Sequence, residues 1–113
     1  MYLLRFGRAL DDLKRYEEYD GDNNMLYFML GICYDETGEK DEAAKNLRKA
    51  IEIFNDLIEK GENYFKPRGY CYMFFENYDL ALKDIEKALK LKPNDEDILE
   101  LKQECLKKMG DGN

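Results

Sequence analysis

Hydrophobic residues recur along this chain at steps of three and four, with charged residues between them. That is the spacing of helices that each bury one face. Leu3, Phe6, Leu10, Leu13 and Tyr16 predict a helix over about 2–19, which Asp20-Gly21-Asp22 breaks. Further helices are predicted over about 24–36, 41–60, 65–75, 78–91 and 95–109. The punctuation between them has the right chemistry. Thr37-Gly38 makes a turn, Gly61 ends the long helix as a C-terminal cap, and Lys92-Pro93 stops the one after it. Asn94 or Asp95 can cap the last helix, and Pro67 falls in a first turn, where a missing N–H is harmless.

The two central helix pairs are similar to one another. A shift of 38 residues lays Gly31 on Gly69, Cys33 on Cys71 and Tyr34 on Tyr72. The same shift lays Asp41 on Asp79, Ala43 on Ala81, Leu47 on Ile85 and Ala50 on Ala88. Cys105 lies 34 residues beyond Cys71, so all three cysteines occupy one slot of the repeat. Tyr27, Leu30, Gly31, Tyr34, Ala43, Leu47 and Ala50 form the first copy. The second reads Phe65, Arg68, Gly69, Tyr72, Ala81, Ile85, Ala88 and Pro93.

This pattern resembles the tetratricopeptide repeat family over about residues 24–93. The spacing between the copies is four residues longer than the family's usual 34, which one extra turn in the preceding helix would absorb. The resemblance implies an all-α fold: antiparallel helical hairpins stacked as a short right-handed α-solenoid, about two repeats with flanking helices. One domain over 1–113 is expected, with an N-terminal helix at 2–19, a first repeat at 24–60, a second at 62–93 and a capping helix at 95–109. Gly31 and Gly69 are expected where the helices of a hairpin cross closely, facing Ala43, Ala50, Ala81 and Ala88. Closer packing would offset the roughly 1 kcal/mol of helix propensity lost at each glycine. The cysteines read as small buried packing residues.

Composition narrows the chemistry. The 113 residues are 44% apolar and 38% charged, enough for one continuous core. A net charge of −7 disfavours nucleic acid and anionic membrane surfaces and favours basic partners. Three widely spaced cysteines and no histidine give neither a disulfide framework nor a zinc site. The start, MYLLRFGRAL, is broken by Arg5 and Arg8 and is not a secretory signal, so a cytoplasmic protein is expected. Asp20, Asp22 and Asn24 begin like a calcium loop, but Met25 stands where glycine is needed and Gly31 where glutamate is needed. No enzyme is expected: there is no histidine base, no serine and one threonine. No cofactor is expected either.

In the resembled family the first helix of each repeat lines a concave surface. The expected partner-binding residues are therefore Met25, Phe28, Ile32 and Asp35 from the first copy. Lys66, Tyr70, Met73 and Phe74 join them from the second, and Glu100 from the last helix. Met29, Ile32 and Tyr70 could equally pack between repeats. Some family members grip a chaperone's C-terminal carboxylate with Lys, Asn and Arg. Phe28 and Ile32 flank Gly31 in two such slots and Pro67 precedes Gly69, so that clamp is absent. The expected function is a scaffold or interaction module binding a short protein or peptide segment in an apolar, acid-rimmed groove. The alternatives are a homodimerising repeat protein, or an inhibitor or immunity-type protein that neutralises a basic partner.

Overall fold

A computed structural model of the chain describes residues 24–111. The helix expected over 2–19 and the acidic turn after it lie outside the described residues. Five helices follow: α1 (Leu26–Glu36), α2 (Lys40–Glu59), α3 (Phe65–Phe74), α4 (Tyr78–Leu91) and α5 (Glu96–Asp111). The described residues contain no strand, and the fold is an all-α helical repeat. The chain divides into two compact units, Met1–Ile53 and Phe54–Asn113.

In the first unit α1 and α2 form a hairpin. The Lys49 ammonium sits 5.0 Å from the centre of the Tyr27 ring, Gly31 meets Leu47, and Lys40 pairs with Asp35. Contacts that step forward on one helix and backward on the other define an antiparallel pair. Leu26, Leu30, Cys33 and Tyr34 are buried from α1, and Ala43, Leu47 and Ala50 from α2. The connection is a Schellman cap, in which the Gly38 N–H donates to the Asp35 carbonyl and the Glu39 N–H to that of Tyr34. Gly38 takes the left-handed φ of +85° that this cap requires.

The second unit repeats the hairpin with α3 and α4 and adds α5. Lys87 lies over the Phe65 ring at 5.4 Å, the counterpart of Lys49 over Tyr27. Ala81, Ile85 and Ala88 of α4 pack with Ile98, Leu101 and Cys105 of α5, and Tyr70 and Met73 of α3 lie against this cluster. The α3 helix closes with the same cap: the Glu76 N–H donates to the Met73 carbonyl and the Asn77 N–H to that of Tyr72. Here a glutamate occupies the glycine slot, at φ +60°. The Asp95 carboxylate caps α5 by accepting from the Ile98 N–H at 3.1 Å. The extra length of the first repeat lies in α2, 20 residues against 14 in α4.

The expected glycine–alanine contact needs correcting in both hairpins. A Cβ on Gly31 would lie 2.5 Å from Cγ and Cδ2 of Leu47, with the Ala43 carbonyl oxygen at 3.4 Å. A Cβ on Gly69 would meet Asp84 Cβ and Ile85 Cγ1 at 3.4 Å and the Ala81 carbonyl at 3.5 Å. The alanines present backbone to the glycine, and the larger neighbours fill its missing side chain. All three cysteines are buried, and burial pushes the Cys71 thiol up to about 12.

Candidate partner-binding surface

The α1 sequence, LYFMLGICYDE, carries no charge before its last two residues. The hairpin core takes Leu26, Leu30, Gly31, Cys33 and Tyr34. A helix that is apolar nearly all round has more hydrophobic surface than one hairpin partner can cover. The remainder is visible here. Met29 is 44% exposed, and Met25, Phe28 and Ile32 are half-buried. Met25, Phe28, Ile32 and Asp35 follow steps of three and four, so they share one side of the helix. Asp35 is half-buried and ion-paired with Lys40. Glu36, Glu39, Asp41 and Glu42 are exposed around the turn and make that end acidic.

In the second unit Lys66, Tyr70, Met73 and Phe74 are half-buried along one side of α3. Tyr70 and Met73 pack on the α4–α5 cluster, and Phe74 meets Phe75 edge-on at 5.0 Å between ring centres. Lys66 is drawn towards the start of α5, with its Nζ 3.7 Å from Asp95 Oδ1 and 3.5 Å from Asp97 Oδ2. The hydrogen bond from the Ile98 N–H, and to a smaller degree the Lys66 charge, holds the Asp95 carboxyl below its ordinary value. Glu100 is exposed on α5. The predicted residues thus fall into a largely apolar strip on α1, a mixed strip on α3 and a separate position on α5.

Sequence reasoning missed the best-anchored polar cluster. Arg68 Nε and Nη2 donate to Asp84 Oδ2 and Oδ1, both at 2.7 Å, and Nη1 donates to Asn55 Oδ1 at 2.9 Å. The guanidinium also lies 5.7 Å from the centre of the Tyr72 ring. The Asp84 side chain is only 3% exposed. In the first hairpin the corresponding slots hold Leu30 and Asn46, and Asn46 donates to the Glu42 carbonyl. A signal existed: both slots turn charged together in the second copy, with opposite signs. Being saturated by its partners, Arg68 is a structural tie between α3 and α4.

Among the described residues no cluster of His, Cys, Asp or Glu could hold a metal ion, and no helix is long and apolar enough to cross a membrane.

Models of the tetratricopeptide repeat match residues 25–57 and 68–95. The chain is 27% identical over 87 residues to Hsp70-Hsp90 organizing protein 2 of Arabidopsis thaliana, covering 77% of this chain and 14% of the relative. It is 25% identical over 88 residues to the Hsp70-Hsp90 organizing protein of Triticum aestivum, covering 78% and 14%. It is 32% identical over 62 residues to anaphase-promoting complex subunit 3 of Dictyostelium discoideum, covering 55% and 6%. The chain therefore spans about one-seventh of the length of the two organizing proteins.

Proposed function

Because the chain belongs to the tetratricopeptide repeat family, we propose that it is an interaction module whose α1 strip captures a short apolar segment of a partner protein. The observation that carries this reading is the surplus hydrophobic surface of α1, with Met29 at 44% exposure beside Met25, Phe28 and Ile32. Methionine and aromatic side chains together form an adaptable contact surface. The exposed acids Glu36, Glu39, Asp41 and Glu42 favour a segment with basic flanks. On α3, Lys66, Tyr70, Met73 and Phe74 offer a second, more polar contact strip.

Three or four large side chains, each worth about 1.5–3 kcal/mol when buried, less the cost of association, give an affinity in the micromolar range. Two relatives are named as chaperone organizers. At Phe28, Ile32 and Pro67 this chain lacks the polar residues of the carboxylate clamp, so the proposed segment is held by its side chains and not by its terminus.

The test is to select binders from a random peptide library on the immobilised chain and titrate the best of them calorimetrically. Selected peptides should be apolar with basic flanks. Met29→Glu and Phe28→Ala should each weaken binding at least about tenfold, the equivalent of about 1.4 kcal/mol, while the helical signal is kept. Undiminished affinity in both folded variants would remove α1 as the binding surface.

A further inference from the structure

The α5 helix carries two separate apolar strips. Ile98, Leu101 and Cys105 are buried and Met109 is half-buried, at steps of three and four; the first three join the α4–α5 core. Leu99 and Leu106 are exposed at 40% and 47%. Seven residues apart, they lie on one line along the helix, turned about a third of a revolution from the buried strip. Charge changes sign along the same helix. Glu96, Asp97, Glu100 and Glu104 dominate its first half, and Lys107 and Lys108 its end.

We propose that this strip is the contact surface for a second copy of this chain, paired antiparallel about a two-fold axis beside Gln103. An isologous contact must be self-complementary, and this surface is so in only one direction. Antiparallel, Leu99 meets Leu106 of the second copy, and Glu100 comes opposite Lys107, each pairing occurring twice. Parallel, Glu100 would face Glu100 and Lys107 would face Lys107. Helix dipoles also favour the antiparallel arrangement. The inference rests on α5 alone and stands or falls independently of the peptide-binding reading of α1.

Analytical ultracentrifugation over a concentration series tests it, with two charge reversals. Wild type should show a monomer–dimer equilibrium. Glu100→Lys and Lys107→Glu should each raise the dissociation constant at least about tenfold, since two attractive pairs become repulsive. An equimolar mixture of the two variants should dimerise as wild type does, because lysines on one copy then meet glutamates on the other. Both positions are exposed, and circular dichroism checks that each variant is folded. Three results overturn the proposal: wild type monomeric at about 1 mM, a dimer indifferent to both reversals, or a mixture that fails to recover. The first would leave a different protein as the occupant of the strip.

Discussion

Replacing Gly31 by alanine should destabilise the first hairpin, whereas Gly69→Ala should leave the second unchanged or more stable. Alanine gains about 1 kcal/mol over glycine in a helix interior, and that gain applies equally to both sites. The surroundings differ. At position 31 the new Cβ falls 2.5 Å from two carbons of Leu47, more than 1 Å inside an ordinary contact of about 3.5–4.0 Å. Leu47 is fully buried and cannot swing into solvent. Overpacking of this kind costs about 1–3 kcal/mol, leaving a net loss of about 1–2 kcal/mol. At position 69 the nearest atoms stand at 3.4–3.5 Å, within ordinary contact, so most of the propensity gain survives. In thermal melts followed by circular dichroism, Gly31→Ala should lower the midpoint by about 4–16 °C and Gly69→Ala should raise it by up to about 8 °C. The Leu47→Ala background isolates the cause. With Cγ and Cδ2 gone, Gly31→Ala should become neutral or stabilising there, and a double-mutant cycle reads the coupling. A Gly31→Ala protein at least as stable as wild type, or less affected than Gly69→Ala, would refute this account.

Three further outcomes follow from the geometry. Arg68→Leu leaves the Asp84 carboxylate buried without its partner and should cost about 3–5 kcal/mol in urea unfolding. Arg68→Leu with Asp84→Asn restores the Leu30/Asn46 pair of the first hairpin and should recover most of that loss. Glu76→Gly places glycine at φ +60° in the α3 cap and should raise stability by about 1 kcal/mol in the same assay. The Cys71 thiol, buried and pushed up to about 12, should resist alkylation at mildly alkaline pH in the folded protein and react on unfolding; prompt labelling would contradict its burial.

The helices and their caps were legible because their signals are local. Apolar residues at steps of three and four fix which side of α2 and α4 is buried, and Thr37-Gly38, Gly61 and Asp95 mark where helices end or begin. The repeat was legible because one packing problem is solved twice, with Gly31 and Gly69 in the same slot. The strip on α1 was legible as a run of uncharged residues. Its most exposed member, Met29, could not be told from a packing residue, because periodicity places a side chain on a side of a helix without saying what lies opposite.

What the sequence determined by itself was therefore the one-dimensional part: helix extents, turn chemistry, and a doubled hairpin with a glycine at each crossing. Tertiary structure decided which atoms fill the space beside each glycine, Leu47 at one and Asp84 with Ile85 at the other. It also decided that Arg68 closes on Asp84 and that Lys66 leans to Asp95 and Asp97. These contacts join residues 16 to 31 positions apart. Their existence depends on how two helices are rotated about their own axes, a quantity that the spacing within either helix does not contain.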